Sequence, residues 1–553
     1  MACNPAYQSL AGGMERADSR RPFIAQRICW VLLWAAIAAY AVAFIVVALF
    51  HYARFASYGF DLGIFDQATW LLSRGINPYL TTRGLHAFGD HFSLILVLLA
   101  PLFWVWDDVR MLLIFQTCAL ALGALPLYLL ARKRLGSGWW ALLLAVAYLL
   151  YPPLQWLNMF DFHPEALATP MILTAFWLLE TRRIPLFFAM MALVLMCKEI
   201  MALSVISVGA YAWLAGNRRI GAITVGMGVA GLALALSTMR WFNHGAPSPY
   251  YGLYAAYGDS LPSIAFHILT HPLQLLKDLT SDLNMYYLGA LLWPVMFLPL
   301  AAPEWLLVAA PTLLANMLSA RHIMHTAMYH YDAGVIPFVL LATMEAIWQL
   351  RTLLPVDRGW NRYLQAGFAL VLAGGMAGGT WHGPLLPGNP PRADFRTSAA
   401  EAAAAVRALA IIPPDASVSA LPTIVPHLTH RKRIYMFPNP FQSCWWGNEL
   451  LGVAGQKGVP KFRVLPLAEI RKRIAASDVE YVVLGRAYLY GSPVPYDDYM
   501  YLARALLTDP HYGVVSLDGG LVILRRGAPR DRSSYLVQKA LASLRVRPTW
   551  RPW

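Results

Sequence analysis

Long apolar runs recur along the first 380 residues of the chain, and this feature limits its possible folds more than any other. Many of the runs approach the roughly 20 residues that a helix needs to cross a bilayer. Only 13% of all residues are charged, against about a quarter in a typical soluble domain. The predicted fold class is therefore an α-helical polytopic membrane protein, because lipid must be the main solvent of these runs.

Basic residues gather in short clusters between alternate apolar runs, such as Arg132-Lys133-Arg134, Arg182-Arg183 and Arg218-Arg219. Clusters of this kind are typical of cytoplasmic loops. Because the formal net charge of +14 is placed in this way, nucleic acid is excluded as a partner. The pattern predicts a cytoplasmic N-terminus, and it predicts that residues 381–553 lie outside the cytoplasm.

This alternation of apolar runs and basic clusters predicts about eleven membrane-spanning helices. The first run is too long for a signal-peptide core and is predicted to stay as an anchor. The run 92–105 is short and contains Pro101, so it is predicted as an interfacial or re-entrant helix. The predicted spans are 28–50, 109–131, 139–155, 165–180, 185–197, 200–215, 220–239, 284–302, 304–319, 333–349 and 363–380.

Residues 185–215 leave two alternatives open. One long helix would hold Lys198 and Glu199 in its middle, but it would put the two flanking arginine pairs on opposite sides of the membrane. A hairpin keeps both pairs inside and is our prediction. Its short arms draw Lys198 and Glu199 below the membrane surface, where an unpaired charge costs up to about 2.5–3.5 kcal/mol.

The chain is predicted to have three regions. A cytoplasmic segment (1–27) precedes the transmembrane domain (28–380), whose first outer loop is 51–91, and an extracytoplasmic α/β domain (381–553) follows. The predicted elements of this last domain are a helix over 398–410, strands at 417–420, 433–437 and 479–485, and a hairpin over 512–525 with Asp518-Gly519 as its turn. The five cysteines form no CxxC pattern, so neither a disulfide framework nor a cysteine metal site is predicted.

The first outer loop contains the segment YGFDLGIFDQATW (58–70), with acidic residues at Asp61 and Asp66. Five positions apart on a helix, the two side chains would point about 140° apart, so they cannot easily face one metal or substrate. They are either ordinary polar residues near the lipid headgroups, or one of them is a general base at the outer face. Gly59 and Gly63 would allow a close bend around Asp61.

Two further polar groups precede predicted helices. Asp90-His91 closes the first outer loop, and Asp161, His163 and Glu165 lie at alternate positions before a span. Glu165 could simply complement the helix dipole. Alternatively, all three could share one side of an extended segment and line a cavity, although this spacing only weakly indicates a metal.

Lys198 is the most notable cation within the apolar region. It is either paired with Glu199 or another nearby acid, or it binds a phosphate at the outer membrane boundary. A second group lies in the outer loop before the span 333–349, and it either binds phosphate or an acceptor, or is merely hydrated. Its members are Arg321, His322, His325, His330 and Tyr331.

Several motifs in a fixed order resemble a family of bacterial multi-pass membrane proteins that has a domain of unknown function. That family is grouped by fold with the GT-C glycosyltransferases, which include protein O-mannosyltransferases and lipid A aminoarabinose transferases. The resemblance covers roughly residues 30–525. The motifs are FDLGIFDQ (60–67), FGDHFSLILVLL (88–99), ARKRLGS (131–137), FDFHPEALATP (160–170) and the Lys198-Glu199 that ends a short span.

The resemblance implies a GT-C-like fold in a bacterial inner membrane and a polyprenyl-phosphate-linked sugar as donor. It implies that an acid of the first outer loop is the base, which matches Asp61 best and Asp66 second, although the chain lacks the adjacent acidic pair usual there. Lys198 is then the expected ligand of the donor phosphate, and the other polar groups line the cavity. No cofactor or metal is expected, and the acceptor could be a glycan, a lipid or a protein.

Two other functions remain open at this point. A transporter or flippase of a lipid-linked substrate would be expected to have Gly- or Pro-broken helices in two corresponding halves, and the sequence has no such symmetry. A non-catalytic scaffold could instead bind a lipid-linked glycan through its outer domain.

Overall fold

The computed structural model describes residues 5–246, 248–353, 397–442, 463–486, 494–529 and 534–544, with single positions between 363 and 384, and it describes side chains from Ile24 onward. The predicted last span, 363–380, is therefore described only in part.

The first long helix, α1 (Pro5–Ala53), shows how the apolar runs fold. One stripe of its side chains is buried against the other helices, and the members of this stripe are three or four positions apart, as expected for one helix face. Apolar side chains on the opposite face, such as Val31, Val42 and Val46, are exposed. A helix with apolar residues on all sides is suited to contact protein on one face and lipid on the other. The buried stripe is Cys29, Leu33, Ile37, Tyr40, Phe44 and Ala48.

Seventeen further helices follow in the membrane domain up to residue 353. They are α2 (Ile64–Ser73), α3 (Ala87–Asp90), α4 (Ile95–Leu99), α5 (Leu102–Val105), α6 (Arg110–Leu122), α7 (Ala124–Leu135), α8 (Gly138–Leu150), α9 (Pro152–Met159), α10 (Ala168–Glu180), α11 (Ile184–Cys197), α12 (Met201–Leu214), α13 (Arg218–Phe242), α14 (Leu261–Thr270), α15 (Pro272–Leu279), α16 (Asp282–Leu292), α17 (Pro303–Met317) and α18 (Ile336–Leu353).

Each predicted span up to 333–349 coincides with one or two of these helices. Among the described residues, three helices are by themselves long and apolar enough to cross a membrane: Ile24–Ala53, Arg110–Leu135 and Arg218–Phe242. The pair α8 and α9, bent by 44°, would make a fourth span. The number of eleven spans therefore stays a prediction.

Three breaks in the helices have local causes. Pro101 separates α4 from α5 in the short run at 92–105. The backbone of Lys198 is extended between α11 and α12, which excludes one continuous helix over 185–215. Within the predicted span 284–302, α16 ends at Leu292 and two proline-containing 3₁₀ turns follow it.

The C-terminal part is a small α/β unit with its own hydrophobic core. The first outer loop contains a separate small hairpin of β1 (Tyr79–Leu80) and β2 (Leu85–His86). The five strands of the C-terminal unit pair in the order β4-β3-β5-β7-β6. Strand β3 is parallel to β4 and β5, whereas β7 is antiparallel to β5 and β6. The elements are α19 (Ala399–Leu409), β3 (Val418–Ala420), β4 (Ile434–Met436), α20 (Leu467–Ala476), β5 (Tyr481–Gly485), α21 (Tyr496–Leu507), β6 (Tyr512–Asp518), β7 (Leu521–Arg526) and α22 (Ser534–Leu544).

The predicted hairpin of this unit is present, but its turn is one residue later than predicted. Asp518 pairs with Leu521, so the two-residue connection is Gly519-Gly520. Both glycines have positive φ angles of 59° and 73°, which such a tight turn requires and which glycine adopts without a steric cost.

The first outer loop connects the two cores. Phe55, just after α1, is buried in the core of the C-terminal unit. Phe60 packs against both cores. The segment around Asp61 is therefore held between the membrane domain and the C-terminal unit.

Candidate functional site

A cavity of about 610 Å³ lies where the first outer loop meets the membrane-domain helices. The apolar part of its lining includes Leu232 and Leu236 of α13, as well as Leu253 and Leu261. Ten of the thirteen site residues that we predicted from the sequence belong to its polar part. They are Asp61, Asp90, His91, His163, Glu165, Lys198, Glu199, Arg321, His330 and Tyr331.

Asp61 lies in a single π-helical turn, Gly59–Gly63, just before α2. Such turns are rare and are often found at functional sites. The turn is tethered at its start. The Tyr58 N–H donates to the Asp161 carboxyl group at 2.8 Å, and the Gly59 N–H donates to the Pro422 carbonyl at 2.7 Å. The Asp61 side chain is 19% exposed and can be reached from the cavity.

The side chains of Asp61 and His163 are in contact. The Nε2 atom of His163 lies 3.3 Å from Asp61 Oδ1, and its Nδ1 lies 2.9 Å from the Phe160 carbonyl oxygen. A carbonyl only accepts, so Nδ1 must carry a hydrogen. The Nε2–Asp61 contact then needs one more proton, either on His163, giving an imidazolium–carboxylate pair, or on Asp61.

A row of side chains continues from this pair to Lys198. The rings of His163 and His330 stack at 3.9 Å with an angle of 14°. Next, His330 Nε2 lies 3.5 Å from Glu165 Oε1, and Lys198 Nζ donates to the same oxygen at 2.6 Å. Burial lowers the pKa of His330 well below its usual value. His330 is therefore neutral beside His163.

The two charges at the break between α11 and α12 have different partners. Lys198 pairs with Glu165 rather than with its neighbour. Glu199 accepts from His91 Nδ1 at 2.9 Å and from the Phe92 N–H at 3.1 Å. Glu165 belongs to a 3₁₀ turn, Pro164–Leu167, and its Oε2 is buried without a hydrogen-bond partner among the described residues.

Asp90 is held by two residues that sequence reasoning missed. Arg83 donates to it through two nitrogens at 3.0 and 2.8 Å, and the Tyr250 hydroxyl donates at 2.8 Å. Burial alone would raise the pKa of Asp90, but the Arg83 guanidinium brings it below the usual value. Arg83 could have been predicted as a partner of Asp90, because it is a basic residue in the same loop as the candidate acids. Nothing in the sequence distinguishes Tyr250 from its tyrosine neighbours.

Arg321 differs from the other two Lys and Arg side chains of the cavity lining. Arg83 and Lys198 are each paired with a carboxylate. The Arg321 guanidinium donates to the Tyr331 hydroxyl at 2.9 Å, and among the described residues no carboxylate lies within 4.0 Å of it. It is therefore the cation of this lining best placed to meet an anionic ligand.

Two predicted acids do not reach the cavity. Asp66 is completely buried and faces the C-terminal unit, where Thr429 and His430 donate to it. Asp161 has a φ angle of +51°, which breaks the alternation expected for an extended segment and turns its side chain toward Tyr58. Burial raises the pKa of Asp161 to about 8.

His325 is also absent from the cavity lining. It is buried between Asn284 and the Ser319 carbonyl oxygen, at 2.7 and 2.9 Å. It belongs to a 3₁₀ turn, His322–His325. Within the described ranges, no group of three or more His, Cys, Asp or Glu side chains is arranged to hold a metal ion. The expectation that no metal or cofactor is needed stays a prediction.

Comparisons with known proteins place the chain in a family. No protein of curated function matches it significantly. A solved structure, ArnT from Cupriavidus metallidurans in the apo state, is similar over 88% of this chain and 98% of that chain, with 14% sequence identity and a TM-score of 0.44. Residues 51–450 match the family described as Predicted membrane protein (DUF2079). Because this match covers more than half of the chain, the protein belongs to the DUF2079 family of predicted membrane proteins.

Proposed function

We propose that the protein is a membrane glycosyltransferase that moves a sugar from a polyprenyl-phosphate donor to an acceptor outside the cytoplasm. The observation that carries this proposal is the row from Asp61 to Lys198 along one cavity. The cavity offers an acid at one end, cations at the other, and apolar side chains in the same lining. The GT-C resemblance of the motifs supports the same reaction.

The donor phosphate is proposed to bind at Lys198 and Arg321. A polyprenyl phosphate brings an anion to the membrane boundary while its tail stays among apolar groups. Leucines of α13 and of the segment after it lie in the same cavity and suit such a tail. A lysine binds phosphate as a point charge, and an arginine can donate two parallel hydrogen bonds.

In the proposed reaction, Asp61 is the general base. The oxygen of an acceptor hydroxyl attacks the anomeric carbon of the sugar and forms a new C–O bond. The bond between that carbon and the phosphate oxygen breaks, and the phosphate leaves with the electron pair. Asp61 takes the hydroxyl proton, which requires that the proton of the Asp61–His163 contact rests on His163.

This function also requires a defined orientation. We propose that the N-terminus is cytoplasmic, that residues 381–553 are outside, and that the membrane is the bacterial inner membrane. The charge clusters of the sequence support this arrangement. Segments 1–27, 28–380 and 381–553 are the proposed topological regions.

The test uses the purified protein in lipid nanodiscs with a panel of polyprenyl-phosphate hexoses. Release of free polyprenyl phosphate, dependent on the protein, is the expected result, because transfer to an acceptor or to water liberates it. The same donors in sealed vesicles test the transporter or flippase alternative. Movement of intact donor across the bilayer without release of polyprenyl phosphate would contradict the proposed function.

A further inference from the structure

The loop between β3 and β4 (421–433, the β3–β4 loop) lies directly against the turn that carries Asp61. Its Pro422 carbonyl accepts the Gly59 N–H. A Cβ atom at Gly59 would lie only 2.8 Å from Val425 Cβ, and one at Gly63 would lie 3.0 Å from Val425 Cγ1. A side chain at Gly59 would therefore displace this loop, and one at Gly63 would press tightly against it.

Asp66 forms the next contact with the same loop. Its carboxylate is fully buried and accepts from the Thr429 hydroxyl and from His430 Nε2, the latter at 3.2 Å. The other ring nitrogen of His430 lies 3.0 Å from Asp107. Because both nitrogens face carboxylates, His430 carries two ring protons and a positive charge. The Asp66 carboxylate, which is buried and paired in this way, is a fixed anchor rather than an accessible base.

Further contacts extend this interface along the first outer loop. The Gln67 side-chain amide donates to the Arg431 and Lys432 carbonyls at 3.3 and 3.4 Å. The Thr81 hydroxyl donates to the Ile434 carbonyl at 2.6 Å, and it accepts the Ile434 N–H at 2.8 Å. The first outer loop therefore depends on a segment about 350 residues later in the chain for its conformation.

We propose that the β3–β4 loop is a positioning element for Asp61, and that Asp66 is its anchor in the membrane domain. This proposal rests on the proposed function, in which Asp61 is the base. Asp61 lies between the two glycines that touch Val425 and five residues before the anchor. A displacement of about 1 Å at a reacting group can cost about 10²-fold in rate. Asp66 thus acts through the placement of Asp61 and not on the substrate.

The first test measures hydrogen exchange of full-length protein in nanodiscs, for peptides that cover 57–66. Asp66→Ala and Thr429→Val should each speed the exchange of these amides about tenfold, because each removes the same anchor. The double variant Asp66→Ala/Thr429→Val should exchange little faster than either single variant. Arg473→Ala removes an exposed ion pair with Glu469 on α20 and should leave these peptides unchanged. Unchanged exchange in both anchor variants would overturn the proposal, whether or not Asp61 is a base.

The second test measures release of polyprenyl phosphate from a polyprenyl-phosphate hexose. Asp66→Asn keeps an oxygen that can accept from Thr429, so its rate should stay within about fivefold of the wild type. Asp66→Ala should lower kcat about 10²-fold, with less change in KM for the donor. If Asp66→Asn is as inactive as Asp66→Ala while its exchange is normal, Asp66 takes part in the chemistry and the proposal is wrong. If Asp61→Asn is fully active, the proposed function fails, and the exchange data alone decide whether the loop positions this turn.

Discussion

Lys198 and Glu165 form a buried ion pair, with Nζ of the lysine 2.6 Å from Oε1 of the glutamate. Both side chains are less than 10% exposed. Removal of one member of such a pair leaves the other charge buried and unpaired, which typically costs about 3–5 kcal/mol of folding free energy. The sequence left open whether Lys198 has a structural partner or a ligand, and the pair with Glu165 shows that it has a partner.

Lys198→Ala should therefore lower the thermal stability strongly, and Lys198→Arg should restore part of it. The double variant Lys198→Met/Glu165→Gln removes both charges and should recover most of the stability. Donor affinity of that stable double variant, measured with polyprenyl phosphate, then tests the phosphate role. We expect binding at least tenfold weaker than in the wild type. Unchanged affinity would mean that the pair is only structural.

Arg321→Ala should weaken donor binding and leave the stability almost unchanged, in contrast to Lys198→Ala. The guanidinium faces a tyrosine hydroxyl and no carboxylate among the described residues, so its loss leaves no buried anion unpaired. A hydrogen bond to a charged group contributes about 1.5–3 kcal/mol, and we expect polyprenyl phosphate to bind about 10- to 100-fold more weakly. The melting temperature should change little. A loss of stability with normal binding would contradict the assignment of Arg321 to the donor phosphate.

Asp161 should make the stability of the protein depend on pH. Its folded pKa is raised to about 8 by burial, whereas an unfolded aspartate titrates near 3.9. Between these two values the folded state binds more protons, so stability falls as pH rises and levels off above the folded pKa. Asp161→Asn, which keeps an acceptor for the Tyr58 N–H, should flatten this decline.

The measurement for Asp161 is the melting temperature of the wild type and of Asp161→Asn at several pH values between about 5 and 8. Asp332, whose pKa burial raises to about 7, contributes the same slope to both proteins and cancels in the comparison. Identical pH profiles would contradict a neutral, buried Asp161.

Chelation of divalent metal should leave release of polyprenyl phosphate largely intact. In the proposed reaction, the charge on the leaving phosphate is met by Lys198 and Arg321. The assay compares the rate before and after treatment with a chelator. Complete loss of activity that added metal reverses would instead assign Asp61, Asp90 and His163 to a ligand shell.

The positions of the helices could be predicted from the sequence, because apolar periodicity and charge clusters are local signals. The break at Lys198 followed from the same signals, whereas the cavity position of Asp61, His163 and Glu165 was expected from their spacing and from the family resemblance. Asp161 was misjudged because its left-handed backbone conformation has no signature in an Asp-Phe-His sequence.

The contacts of Asp66 could not be predicted, since its partners Thr429 and His430 lie more than 360 residues later. Contacts at such sequence distance depend on how two separately folded cores meet, and a single sequence carries no local pattern for that. The same reason explains why Gly59 and Gly63 were predicted to permit a bend, whereas they make room for Val425.

The proposed function depends on Asp61 as the base of a sugar transfer. The most direct measurement is the release of polyprenyl phosphate from a polyprenyl-phosphate hexose by Asp61→Asn, beside Asp66→Asn as the matched control. A general base typically contributes about 10²–10⁴-fold. We expect a loss of that size for Asp61→Asn, with normal folding and normal donor binding, and near-normal release for Asp66→Asn. Full activity of Asp61→Asn would show that Asp61 is not the base.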